Sequence, residues 1–404
     1  MQLICVDELG RPVKGAAEYH FVIDGEDART SLLGDDDGCF EIASISGTLP
    51  NYALIRSFQG HWNLGITNPR EDKKPHLLNS ITVPDAFLWW RKAIGRDMSE
   101  PQAGKGVRIG VIDLAFAPSG TLGHVQVFDV NGNRLDPSSL PTASHGHRVC
   151  RFIGERGQQM WQEGVATGSE VILVDVSEDE DPTQWDYTKI GAAILTLVKH
   201  HHVDIVNISG GAYRKSVDDA GTPYAVIEDK VQYAASKGVV VFAAVGNNSS
   251  NRPASPACLP DVIGVGAVGL DGVAPENSRF GKSRLAAEDE EGGISPPDSP
   301  ERYFHCVSTC SGEGLNAVGP GIGLFLQFEE GDAVIEYEGT SFASPIAAAV
   351  LACALAKDRA YRHVFGVARW LYATGLFRNL CIDLGLHPLR QGWGLPTLKG
   401  GDAV

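Results

Sequence analysis

The residues able to do chemistry in this chain stand at the ends of its apolar runs. Asp113 closes Gly110-Val111-Ile112-Asp113, where a carboxylate can cap a helix or shape a turn. His145 opens Ser144-His145-Gly146-His147-Arg148-Val149. As a residue type it is a candidate general base, metal ligand or surface side chain. Asn247 follows Ala244-Val245-Gly246, which puts an amide at the carboxyl end of another run. Ser341 lies in Gly339-Thr340-Ser341-Phe342-Ala343-Ser344-Pro345, ahead of the alanine-rich stretch Ile346 to Ala356. That places it at a helix N-terminus, where unpaired N–H groups and the positive dipole end stabilise nearby negative charge. Pro345 is expected inside the first turn, where its missing N–H costs nothing.

The elements that must carry these residues follow from the apolar pattern. Val107 to Ile112, Val171 to Val176, Asp204 to Ile208, Val239 to Val245 and Val262 to Ala267 are nearly continuous apolar runs rich in β-branched residues. Such runs are buried on both faces, as parallel strands are. Tyr187 to Val198 and Tyr224 to Ser236 have helical spacing between them. The alternation predicts an α/β fold with a doubly wound, mainly parallel sheet, whose ligands sit beyond the carboxyl ends of the strands. Ahead of it, Gln2 to Val6, Glu18 to Ile23, Cys39 to Ile45 and Tyr52 to Ile55 read as short strands, and Asp85 to Ile94 as a connecting helix. A smaller β-rich domain over 1–95 and a larger one over 96–404 are therefore expected. Within the larger one, 281–314 is acidic and proline-bearing and reads as a mobile surface loop.

With 404 residues, two domains are the natural expectation. A net charge of -16 disfavours nucleic acid, which needs clustered positive charge. No run of 18 uninterrupted apolar residues suggests a membrane span, and Met1 to Gly10 lacks the pattern of a secretory signal. The eight cysteines are expected to be reduced thiols in a cytoplasmic protein. His305, Cys306 and Cys310, His200-His201-His202 and the acidic run Glu178 to Asp181 lack the further ligands a metal site needs. No cofactor is expected.

Taken together, the four chemistry-bearing segments resemble the subtilisin-like serine proteases, the subtilases. The likeness runs from about Gly104 to Leu398, and the segment Gly-Thr-Ser-x-Ala-Ser-Pro is its most specific part. Gly164-Val165-Ala166-x-Gly168, Asp204-Ile205-Val206-Asn207-Ile208-Ser209-Gly210-Gly211, Val318-Gly319-Pro320-Gly321 and Gly392-Trp393-Gly394 match as well. The order Asp, His, Ser is the family's known order. The resemblance implies Ser341 as nucleophile, His145 as base and acid, and Asp113 as the residue that fixes the imidazole. It implies Asn247 as oxyanion donor beside the Ser341 N–H. Ser209, Gly210, Gly211, Ala244, Val245 and Gly246 would wall the pocket for the residue before the scissile bond, the glycines leaving room for an extended peptide. Three departures stand out. Leu114-Ala115 replaces the Thr or Ser and Gly that usually follow the Asp. His145-Gly146-His147-Arg148-Val149-Cys150-Arg151 stands where the family reads His-Gly-Thr-His-Val-Ala-Gly, with Gly146 and Val149 aligning His145 as the base and His147 as its rival. The segment 281–314 replaces a normally short link. Asp218 and Asp219 offer a way to favour a basic residue in the pocket.

Gly10 to Ala16 with Asp37 to Ile42 is similar to small β-sandwich modules of the carboxypeptidase-regulatory, transthyretin-like kind. The implied activity is that of an intracellular serine endopeptidase working through an acyl-enzyme, with restricted or dedicated substrates. Its partners would be a peptide or protein substrate and, through the N-terminal domain, a dedicated partner protein, with neither nucleic acid nor membrane. A structural calcium is possible in such a fold but not indicated. The alternative is a catalytically silent protein that holds peptides in the same groove.

Overall fold

The computed structural model describes residues 2–23, 26–70, 74–81, 84–96, 100–157, 162–213, 223–327 and 334–399. The N-terminal part consists of β1 (Gln2–Val6), β2 (Gly15–Ile23), β3 (Glu26–Leu33), β4 (Cys39–Glu41), β5 (Tyr52–Ser57), β6 (Leu64–Thr67) and β7 (His76–Leu77). They form two sheets, ordered β4-β1-β7 and β3-β2-β5-β6. Alternate side chains of β2, Ala17, Tyr19 and Phe21, point into a core shared with Leu3, Phe40 and Ile55. This core is separate from the main one. The expected connecting helix is α1 (Pro84–Ala93), but its Trp89 and Trp90 belong to the main core, with Ile94 just behind them. The connecting helix therefore packs with the main core.

The larger unit is built from β8 (Arg108–Asp113), β9 (Gln126–Phe128), α2 (His145–Gly154), β10 (Glu170–Asp175), α3 (Ile190–Lys199), β11 (Ile205–Ile208), α4 (Pro223–Ser236), β12 (Val240–Ala244) and β13 (Val262–Leu270). It continues with α5 (Arg279–Glu288), β14 (Tyr303–His305), β15 (Ala317–Pro320), the hairpin β16 (Leu324–Gln327) and β17 (Val334–Tyr337), α6 (Thr340–Lys357) and α7 (Gly366–Leu380). The main sheet runs β14-β13-β12-β11-β8-β10-β9, with β15 also on β13, and every pairing except β13 with β14 is parallel. Strand order reverses at β8: the chain passes to β10 on one side and then to β11 on the other. The carboxyl end of β8, where Asp113 lies, is therefore the crevice such sheets use for ligands.

Helix α6 is long and apolar enough to cross a bilayer, with mean hydropathy 1.5, yet 78% of it is buried as the core helix of this fold. Its hydrophobicity serves packing against the sheet. Pro345 sits past the first turn of α6, so its missing N–H removes the helical partner of the Ser341 carbonyl, contrary to the cost-free placement expected. Residues 281–314 also depart from expectation. Most of α5 and the whole of β14 fall in this segment, and Phe304, Cys306 and Cys310 are buried. Phe280, where the segment joins the body, stacks edge-on with Phe304, their ring centroids 5.2 Å apart. The acidic run that suggested a loose loop is anchored instead, with Glu290 bonded to Arg390.

Candidate active site

Asp113 is fully buried at the end of β8, and His145 is the first residue of α2. The imidazole Nδ1 lies 2.9 Å and 3.0 Å from the two carboxylate oxygens. Three local features produce this approach. Ser144 caps α2, its Oγ accepting the His147 N–H at 3.1 Å and donating to the Leu114 carbonyl at 2.9 Å. The Leu114 N–H donates to Asp113 Oδ1 at 2.8 Å, so the unusual residue after the Asp still supplies a hydrogen bond. Gly146 permits the contact: a Cβ there would lie 2.3 Å from the Leu114 oxygen and 3.0 Å from Asp113 Cβ. His147, the rival imidazole, instead turns toward Phe116, with centroids 5.0 Å apart.

Ser341 is the second residue of α6, and the ring of the next residue, Phe342, lies 5.8 Å from the His145 ring. Asp113 thus ends β8, while His145 and Ser341 stand in the first turns of α2 and α6. Among the described residues Ser341 Oγ makes no hydrogen bond. Such bonds are often long before substrate binds. Asn247 follows β12, and its Oδ1 accepts from Thr340 N–H at 2.9 Å and from Thr340 Oγ1 at 3.1 Å. With the oxygen end clamped this way, the Nδ2 end is left to donate elsewhere. Thr340 Oγ1 also accepts the Gly246 N–H at 3.1 Å, which locks the Asn247 loop to the start of α6.

Asn207, which has no assigned role in the motif that contains it, is fully buried and joins two segments of the site. Its Oδ1 accepts from Ser344 Oγ and its Nδ2 donates to Ser209 Oγ, both at 2.8 Å. It therefore ties Ser209, at the start of the segment Ser209-Gly210-Gly211, to the helix that carries Ser341. Nothing in spacing alone links 207 to 344, whereas the buried polar residue in an apolar strand was a readable signal.

The expected open walls are covered by the chain's own aromatic residues. Gly210 faces Trp185, whose ring lies 2.9 Å from where a Cβ would be, and Trp185 is 6.4 Å from the His145 ring. Gly246, at φ 103, faces Tyr213, whose hydroxyl would be 2.3 Å from a Cβ and accepts the Asn247 N–H at 2.8 Å. Gly211 lies against the Ser255 carbonyl, beside the bridge Ala212–Ser255. Ala244 and Val245 are buried beneath this region. The glycines thus accommodate side chains of this protein as well as any peptide. Asp218 and Asp219 lie outside the described residues.

The residues considered for metals are otherwise engaged. Asp179 pairs with Lys189 at 2.7 Å, Asp181 caps Thr183, and His201 lies against Phe128 with centroids 4.2 Å apart. Burial, with Arg390 nearby, pushes the His305 imidazole down to about 3. Among the described residues no three His, Cys, Asp or Glu side chains gather to hold an ion. All eight cysteines are free thiols.

Comparison with known proteins bears on the family and the fold. The Subtilase family profile matches residues 104–365, more than half of the chain. Subtilisin of Bacillus pumilus is 26% identical over 267 residues, covering 64% of this chain and 80% of the relative. Subtilisin NAT of Bacillus subtilis subsp. natto is also 26% identical, covering 64% of this chain and 58% of the relative. Among solved structures, the prenylagaramide maturation protease PagA superposes with a TM-score of 0.53 at 20% identity, covering 78% of this chain and 96% of that one. A lanthipeptide protease gives 0.57 at 16% identity, covering 77% and 92%. Fervidolysin from Fervidobacterium pennivorans gives 0.57 at 20% identity, covering 81% and 48%. The N-terminal β domain lies ahead of the family match, while the sheet, the α6 segment and the residues gathered at its rim fall within it. The chain belongs to the subtilase family, the subtilisin-like serine proteases.

Proposed function

We propose that the protein is a serine endopeptidase in which Asp113, His145 and Ser341 hydrolyse a peptide bond through an acyl-enzyme. The observation that carries this reading is the bond from His145 Nδ1 to the buried Asp113 carboxylate. It puts the Nδ1 proton toward Asp113 and leaves Nε2 as the basic nitrogen. In the first step Nε2 takes the Ser341 proton as Oγ attacks the carbonyl carbon. The tetrahedral oxyanion receives the Ser341 N–H and Asn247 Nδ2. The imidazolium then protonates the leaving amine, and water repeats the sequence to free the acid. An oxyanion donor of this kind contributes about 3–4 kcal/mol to the barrier reduction.

Restricted substrates are part of the proposal. Tyr213 fills the space beside Gly246, so Gly or Ala is favoured before the scissile bond. Tyr213→Ala is expected to raise kcat/KM for peptides with Leu or Phe there by about 10–100-fold relative to Ala, since each added methylene in an apolar pocket is worth about 1–3 kcal/mol. A peptide-library cleavage profile of both forms checks this. Dedicated maturation proteases among the structural neighbours accord with a single dedicated substrate. The eight free thiols accord with a cytoplasmic setting.

Labelling with a fluorophosphonate tests the activity itself. Wild type should be labelled and Ser341→Ala should not. A folded wild type that stays unlabelled under several conditions would leave the silent peptide-holding protein as the better account.

A further inference from the structure

The N-terminal domain is joined to the peptidase body by buried contacts. The Asn63 N–H donates to Glu336 Oε2 at 2.7 Å, Asn63 Nδ2 donates to the Glu336 carbonyl at 3.1 Å, and Lys282 Nζ donates to the Gly65 carbonyl at 2.7 Å. Trp62 enters the main core, 5.1 Å from the Phe325 ring and 5.8 Å from the Phe280 ring. Next to this junction lies a cleft of about 290 Å3, lined on one side by His20, Arg29 and Tyr52 and on the other by Asn247, Ser249 and Arg279. Asn247 is the proposed oxyanion donor, yet none of the proposed acyl-side wall residues, 209–211 and 244–246, lines the cleft.

We infer that the N-terminal domain supplies the part of the substrate site that receives the peptide beyond the scissile bond, and that Arg29 selects an acidic residue there. The inference rests on the endopeptidase reading and names a substrate class for it. A peptide whose carbonyl oxygen points at Asn247 and whose acyl portion lies along 209–211 has this cleft open to its leaving-group side.

Charge sets the preference. The chain carries a net charge of -16, yet among the described residues lining the cleft there are two arginines and no carboxylate. Arg279 is held by Glu338 at 3.2 Å, both of them 15% exposed. Glu18 is shared by Arg56 at 3.2 Å, His20 at 3.0 Å and Arg29 at 3.6 Å. Arg29 is the farthest of the three and is 55% exposed, so its guanidinium keeps donors to offer a ligand. A positive cleft on an anionic protein favours an acidic peptide segment.

The test uses the full chain, its intact mass verified, and quenched peptides identical up to the scissile bond. These carry Glu or Lys at each of the next three positions, and a p-nitroanilide with no residues beyond the bond serves as reference. The wild type should prefer Glu over Lys by about tenfold at low salt, with the preference shrinking in 0.5 M salt at roughly a 4 Å screening length. Arg29→Ala should abolish that preference while leaving anilide turnover within about twofold, and Arg29→Lys should retain most of it. Equal cleavage of the Glu and Lys peptides by the wild type, or a preference that survives in Arg29→Ala, would overturn the inference while normal anilide turnover kept the protease reading intact. A wild type inert toward both the anilide and the fluorophosphonate would remove the protease reading itself, and this inference with it.

Discussion

Replacing His145 by Ala is expected to lower kcat by about 10^6, as much as replacing Ser341, because neither the hydroxyl nor the imidazole can act without the other. His147→Ala should stay within about tenfold of wild type, since its contribution to the helix start is a backbone N–H that alanine keeps. Asp113→Asn should cost about 10^4 through the wrong tautomer. The local hydrogen bonds say why it would do so here. Asp113 Oδ1 accepts both the Leu114 N–H and His145 Nδ1. An asparagine keeping its oxygen toward Leu114 would present its NH2 to Nδ1, which must then become the acceptor. The ring proton moves to Nε2 and faces Ser341, so the base is blocked. Steady-state turnover of the three variants checks the order. A His147→Ala loss as deep as that of His145→Ala would reassign the base.

How far the site could be read ahead of the structure depends on what each residue does. Val240 to Ala244 announced a central strand because both of its faces are buried, and Asp113 was readable because a carboxylate ending such a run is conspicuous. Glu26–Leu33 was missed as a strand: its composition is largely polar, and only pairing with β2 holds it in the sheet. The segment 281–314 was misjudged because its acidic and proline residues dominate its composition. The few buried apolar side chains that decide its structure, Ala287 and then Tyr303, Phe304, Cys306 and Cys310 close together, follow no period. Tyr213 over Gly246 and Asn207 beneath Ser344 are contacts between distant parts of the chain, for which local patterns hold no signal. The candidate catalytic side chains were legible because such residues sit at strand ends and helix starts. Pocket shape was not, because it depends on how separate loops meet.

The junction between the domains should loosen as pH rises from about 5 to 8. Glu336 is fully buried on β17, and burial, together with the nearby Glu338, raises its carboxyl to about 8 against the Asn63 hydrogen bond and the Arg56 and Arg279 charges. Asn63 Oδ1 and Glu336 Oε1 are both buried and have no hydrogen-bond partner among the described residues. In the unfolded chain the same carboxyl ionises near its ordinary value of 4.5. Below that value both states hold the proton and nothing is lost. Between it and about 8 the unfolded state releases a proton that the folded state retains, so stability falls with rising pH; above about 8 the loss is complete. At about 1.4 kcal/mol per unit, the full effect reaches roughly 5 kcal/mol. Other groups act differently. His305 and His124, lowered to about 3 and about 4, add stability that is lost as pH falls below their unfolded value. The comparison must therefore be with Glu336→Gln, which keeps the shape and the acceptor for the Asn63 N–H without the charge. The variant's Tm should equal wild type near pH 5 and exceed it by several degrees at pH 8 and above. A gap that stays constant from pH 5 to 9 would mean that Glu336 is charged in the folded protein throughout.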